Sequence, residues 1–206
     1  MQERPFDTEF FLSAGELTKP FVSSQFIYDK VMLDFNAKTK EGIRITKLDS
    51  LMSFIHKYVK SSEDKEFIAA NKFQRTAKEI FESGVSTGCT DYAVVFCTFA
   101  RQLGLPTSLL HAADYGWIKS LKAGQLQKHF GHSFCECYYG GRWLLIDPTS
   151  RKIIVDYNPN FLQLAYYVGT SCQFVSYMRG LDLGKQDIKE HNKIMEKLCL
   201  NIEIKM

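Results

Sequence analysis

Two runs of strand-forming residues, SFCECYY (133–139) and RWLLI (142–146), flank the dipeptide Gly140-Gly141. Two glycines between such runs specify a tight antiparallel hairpin, because the favoured two-residue turns need positive φ. The turn fixes the register. Tyr139 faces Arg142, and every further pair keeps the same sum of residue numbers. His132 then lies opposite Thr149. Side chains alternate between the two faces, so His132 and Asp147 share one face, a diagonal step of about 7–8 Å apart. An imidazole and a carboxylate bridge that gap with a hydrogen bond.

The same parity puts Cys135 and Cys137 on the other face, where Leu144 and Ile146 make them core residues. A zinc site built from these cysteines with His129 and His132 would need sulfur from one face and nitrogen from the other. One tetrahedral ion does not fit that arrangement, so no metal is expected. Glu136 shares the His132 face and is expected to pair with a neighbour. His129 reads as a loop residue, and His111, inside TSLLHAA, as a satisfied core histidine.

A nucleophile for this pair lies upstream, in STGCTDYAVVFCTFARQLGLP. The run from Asp91 to Gly104 is apolar on most sides, as a buried helix is, and Gly104 with Pro106 ends it. Cys89 precedes it, after Gly88. Unpaired amides and the helix dipole at such a position favour a thiolate, and the glycine allows a close approach of the backbone. Cys97, by contrast, falls among apolar residues and reads as packing. It stands about 12 Å of helical rise from Cys89, too far for a disulfide.

The rest of the chain supports α+β, helices first and strands later. TKLDSLMSFIHKYVK carries an apolar face (Leu48, Leu51, Met52, Ile55, Tyr58, Val59) behind a Thr46/Asp49 capping box, with His56 at its surface or boundary. Shorter helices are expected through EFIAANKFQ and TAKEIFES, the latter stopped by Gly84. The first 45 residues show no clean period, KIIV reads as a strand, and a closing helix is expected from Gln186 to Leu198. The segment Asp114 to Gly131 reads as a long connection forming a groove wall, where Tyr115 and Trp117 contact substrate.

Charge and composition narrow the function. A net charge of +3 with scattered basic residues gives no footprint for nucleic acid. No stretch approaches the ~20 apolar residues of a membrane span. The six cysteines lack framework spacing, so reduced thiols are expected. The opening MQERPFDTEFF carries acids and a proline where a signal peptide would be basic and then apolar. A cytoplasmic location is therefore expected, export by another route being left open.

The segments TGCTDYAVVFCTFARQLGLP and GHSFCECYYGGRWLLIDPT, in this order, resemble the transglutaminase-like superfamily, and more closely its small bacterial members. The resemblance runs from about Thr76 to Thr149. It implies a papain-like core whose central helix carries the cysteine, packed on an antiparallel sheet carrying the histidine and the aspartate. It also implies Cys89 as nucleophile, His132 as general base and acid, and Asp147 as the orienting carboxylate, with no cofactor. The implied organisation is a mainly helical N-terminal extension, 1–60, packed on a catalytic domain, 61–206.

Animal transglutaminases use a tryptophan upstream of the cysteine for the oxyanion, whereas both tryptophans here, Trp117 and Trp143, lie downstream. Asn71 and Gln74 are the upstream candidates for a second donor beside the Cys89 amide. No acidic calcium loop of the animal type is present. The expected activity is hydrolysis of amide bonds in peptides or proteins, as a peptidase or deamidase, through a thioester at Cys89. Glutamine amine transfer, arylamine-type acyl transfer and a non-catalytic interaction module are the alternatives.

Overall fold

The computed structural model describes residues 8–42, 46–125, 129–158, 173–180 and 184–202. The first helices are α1 (Thr8–Leu12), α2 (Ser24–Lys40) and α3 (Lys47–Tyr58). A short parallel pair, β1 (Lys60–Ser61) with β2 (Val85–Ser86), brackets α4 (Lys65–Asn71) and α5 (Ala77–Ser83). Helix α6 (Cys89–Gln102) follows, then β3 (Thr107–Asp114), α7 (Tyr115–Lys122), β4 (Gly131–Tyr139), β5 (Arg142–Asp147), β6 (Lys152–Ile154), β7 (Phe174–Gly180) and α8 (Ile188–Leu200). The five larger strands form one antiparallel sheet in the order β6-β5-β4-β3-β7.

Local chemistry sets the element ends. Thr46 and Asp49 form a reciprocal capping box on α3, and Thr76 and Glu79 form one on α5. Gly84 closes α5 at φ +68°, a left-handed conformation that costs glycine little. The hairpin has the expected register: Tyr139 pairs with Arg142, Cys137 with Leu144 and Cys135 with Ile146. Helix α6 lies on the Cys135/Cys137 face of the sheet, where the Cys135 thiol reaches the Ala93 carbonyl at 3.4 Å. The expected α+β architecture, a cysteine-bearing helix on an antiparallel sheet, is the one found.

Several elements, the short α1, β1 and β2 among them, were not legible in the sequence. Helix α2 buries only Ile27 and Val31, while Phe26, Tyr28 and Leu33 stay exposed, so its apolar residues blur the helical period. The expected connection after Asp114 is in part a helix: Asp114 Oδ1 caps α7 by accepting the Trp117 N–H at 2.8 Å. Strand β7 was not anticipated, and it completes the sheet edge beside β3. The similarity extending through RGLDLG falls partly on residues 181–183, outside the described residues, as does Cys172.

One core lies between α6 and the helices before it. Ile27, Val31, Leu48, Leu51 and Ile55 from the first sixty residues share it with α6 and with the inner face of the hairpin. Phe99 is fully buried at its centre, with ring centroids of Phe81, Phe21 and Phe54 at 5.2, 5.6 and 5.8 Å. Truncating such a ring loses its transfer free energy and leaves a cavity. Phe99→Ala is expected to cost about 3–5 kcal/mol in urea unfolding, in one transition shared by helix and tryptophan signals. A loss below about 1 kcal/mol would contradict this placement of Phe99.

Candidate active site

Cys89 opens α6 from a loop that is tied down on both sides. Gly88, at φ +145°, exchanges hydrogen bonds with the Ser86 hydroxyl, its N–H donating and its carbonyl accepting, both at 3.0 Å. The Thr87 N–H and hydroxyl donate to Asp91 Oδ2 at 2.8 and 3.0 Å. Arg75 Nη1 lies 3.5 Å from that oxygen and also donates to the Val85 carbonyl at 2.7 Å. Asp91 and Arg75 are both buried, so they pin the turn immediately before the thiol rather than decorate a surface. Cys89 itself is partly buried.

His132 and Asp147 meet as the hairpin register requires. His132 Nε2 lies 3.1 Å from Asp147 Oδ2. The Asp147 carboxylate is fully buried, and its Oδ1 accepts the N–H groups of Thr149 and Ser150 at 3.0 and 3.2 Å. Nε2 is thus occupied by the carboxylate, and Nδ1 is the nitrogen left for the thiol. The Cys89 sulfur stands in hydrogen-bonding reach of the His132 ring and of the Ser133 N–H. The structure therefore brings Cys89, His132 and Asp147 to one place.

His56 supports this arrangement from α3, which its sequence context does not announce. Its Nε2 donates to the Pro148 carbonyl at 2.7 Å, and its ring stacks on Tyr92 with centroids 4.5 Å apart and planes 8° apart. It therefore joins the turn after Asp147 to both α3 and α6. The only local signal is its place one turn beyond the buried Met52, while its partner stands 92 residues away.

The charges reinforce one another. Burial by itself would raise the Cys89 thiol. The hydrogen bond and charge of His132, the Ser133 N–H and the Lys72 ammonium outweigh it and hold the thiol below its ordinary value. Burial also opposes protonation of His132, but Asp147 and Cys89 raise the imidazole to about 10. Asp147, despite its burial, is held below the usual carboxylate value by His132 and Ser150. The two shifts act in the same direction, favouring a thiolate beside an imidazolium.

A cavity of about 130 Å³ opens beside the sulfur, lined by residues that include Lys72, Phe73, His111, Tyr177 and His191. A bulge between β3 and β7 leaves Tyr177 unpaired between Ser176 and Met178 and aims it here. The Tyr177 hydroxyl lies 3.3 Å from His191 Nε2, and His111 Nδ1 lies 3.2 Å from the Ser133 hydroxyl. Burial lowers His111 to about 4 and His191 to about 3, so both are neutral.

The remaining sequence candidates stand elsewhere. Trp117 is buried with Ile118, Val175 and Met195, Tyr115 packs against that cluster, and neither lines this cavity. The Asn71 and Gln74 side-chain amides donate to the Phe67 and Ala70 carbonyls, and they too lie outside the lining. Glu136 is fully buried against Arg179, 3.4 Å away, and Tyr157. His129 Nε2 meets Glu196 at 2.6 Å. Cys97, Cys135 and Cys137 lie in the core, where burial pushes the Cys137 thiol up to about 12. Among the described residues no group of three or more His, Cys, Asp or Glu is arranged to hold a metal ion.

This electrostatic arrangement predicts a distinctive reactivity profile. Because the Cys89 thiol is lowered, its alkylation by iodoacetamide should persist below the ordinary thiol range. In His132→Ala the acid limb should move up into or beyond the ordinary thiol range, since burial then acts unopposed by the imidazolium. The check is peptide mapping of labelling rate against pH. Coincident profiles for the two proteins would contradict the ion pair.

A family model described as the transglutaminase-like superfamily matches residues 33–148. No curated protein sequence matches the chain. Among solved structures, a proposed cysteine protease from Cytophaga hutchinsonii aligns with a TM-score of 0.51 at 17% identity, over 86% of this chain and 48% of that one. The chain thus spans about half the length of that structure. Calcium-bound LapG of Legionella pneumophila aligns with a TM-score of 0.41 at 14% identity, over 86% and 99% of the two chains. A structure described as a TGase aligns with a TM-score of 0.37 at 13% identity, over 70% and 35%. The family match covers more than half of the sequence and includes the cysteine that opens α6, the strand that carries His132, and Asp147: the chain belongs to the transglutaminase-like superfamily.

Proposed function

We propose that the protein is a cysteine-dependent amide hydrolase acting on peptides or proteins through a thioester at Cys89. The observation that carries this reading is the contact of Cys89 with an imidazole whose other nitrogen faces a buried carboxylate, at 3.1 Å. The Cys89 thiolate attacks the amide carbonyl carbon and forms a tetrahedral oxyanion. The carbon–nitrogen bond then breaks as His132 gives its proton to the departing amine, leaving the thioester. Water attacks next, losing a proton to His132. The carbon–sulfur bond breaks, and the carboxylic acid product leaves the thiolate restored. Asp147 holds the tautomer and stabilises the imidazolium throughout.

Hydrolysis is favoured over amine transfer by what surrounds the thioester. Transfer requires that an amine reach the acyl group before water does. Neither tryptophan lines the cavity: Trp117 is in the α7 cluster, and the Trp143 ring packs on Phe11 at 4.8 Å. Phe130, on the cavity rim, is 48% exposed. Phe73, Phe130 and Tyr177 line the cavity, but among the described residues no tryptophan does, so an indole shield over the thioester is missing there, which supports water as the acceptor.

The test is incubation with a broad peptide pool, with and without a labelled primary amine, followed by mass spectrometry. Cleaved peptides or glutamine-to-glutamate conversion are expected, and both should vanish in Cys89→Ala. Predominant amine incorporation would replace this reading with cross-linking.

A further inference from the structure

The cavity beside Cys89 carries a positive charge that helps hold the thiol below its ordinary value but takes no part in the bond-making steps just described. Lys72 ends α4, is partly buried and lines the cavity. Its ammonium lies 5.0 Å from the Phe73 ring centroid, and among the described residues no carboxylate stands within ion-pair distance of it. No aspartate or glutamate is among the described lining residues. A cation drawn partly out of water with no carboxylate at ion-pair distance gains when an anion joins it.

The backbone delivers this charge deliberately. Phe73 has φ +66°, a left-handed conformation that a bulky aromatic residue rarely adopts. It is held there by stacking on His191, with ring centroids 3.7 Å apart and planes 11° apart, and by the Gln186 N–H donating to its carbonyl at 3.1 Å. That reversal brings Lys72 and Phe73 together into the cavity. On another wall Asn192 of α8 contributes a side-chain amide with no partner among the described residues. A cation, an amide donor and an aromatic face therefore surround a space of about 130 Å³. A cavity of ~150 Å³ admits benzene, so this one has the size of a single side chain.

We infer that Lys72 and Asn192 form a carboxylate-binding subsite, so that the enzyme selects acyl substrates bearing a carboxylate close to the scissile amide. This deepens the hydrolase reading and rests on Cys89 being the nucleophile. The carboxylate belongs either to an acidic side chain or to a free chain terminus; both present the same planar anion to an ammonium and an amide N–H.

Two alkylating reagents of equal size test it on the full chain. Iodoacetate carries the carboxylate, and iodoacetamide is its neutral counterpart. The ratio of their rates at Cys89, at low salt and pH 7, should exceed the ratio in the denatured chain by about tenfold, the effect of one charge pair of about 1.4 kcal/mol. Lys72→Met should remove most of that excess, Lys72→Arg should restore it, and Asn192→Ala should lower it in part. A lysine that only stabilises the thiolate would slow both reagents alike, so an unchanged ratio in Lys72→Met overturns the subsite. Should Lys72→Met fail to fold, an unchanged ratio in Asn192→Ala, or a wild-type ratio equal to that of the denatured chain, overturns it equally. If neither reagent labels Cys89 in the folded protein, the nucleophile assignment fails and the subsite fails with it. Matched peptides then separate the two sources: Glu→Gln next to the cleaved bond removes a side-chain carboxylate, and C-terminal amidation removes a terminal one. Loss of turnover in one arm assigns the source, and loss in neither overturns the subsite.

Discussion

If the β4–β5 hairpin slipped by a single residue, every side chain on the slipped strand would change face. With Tyr139 opposite Arg142, Cys135, Cys137, Leu144 and Ile146 point into the core beneath α6. The same register leaves Phe134 and Leu145 on the outer face and lets His132 meet Asp147. A slip would thus turn core residues away from α6 and separate the imidazole from its carboxylate together. The hydrophobic term is the larger one, since the two side chains moved by a slip of β5, Leu144 and Ile146, at about 1.5–3 kcal/mol each together exceed a typical single hydrogen bond. Core packing therefore enforces the polar geometry.

Held in that register, the polar groups offset each other's burial. A buried carboxylate without partners would cost several kcal/mol. Asp147 avoids this through two backbone N–H groups and the His132 ring. The imidazolium in turn outweighs the burial of Cys89, whose sulfur also sits at the amide-rich start of a helix of 14 residues. Arg75 with Asp91 fixes the loop before the thiol, and His56 with Pro148 fixes the turn after the carboxylate. The three reactive groups are held from α3, α6 and the sheet, so the first sixty residues contribute to the geometry of the site as well as to the core.

What the sequence revealed follows from the range of each signal. The capping box at Thr46/Asp49, the Gly140-Gly141 turn and the apolar run of α6 are local, and each was readable within a few residues. The approach of His132 to Asp147 was derivable because a two-residue turn converts local sequence into a register. The bond from His56 to Pro148 and the packing of Phe73 on His191 join segments far apart in the chain, and no local pattern encodes them. Helix α7 was hidden by Gly116 in its first turn. Lys72 falls inside the helix expected through EFIAANKFQ, but α4 ends at Asn71 and the reversal at Phe73 places Lys72 beside the thiol.

The central claim is that Cys89 becomes covalently acylated during turnover. Acid quenching of the enzyme during turnover of a cleavable peptide, followed by intact-protein and peptide mass spectrometry, observes that bond directly. The account predicts an acyl adduct on Cys89 that is labile to hydroxylamine and absent in Cys89→Ser. Turnover that proceeds without any adduct, or that survives in Cys89→Ala, would contradict it.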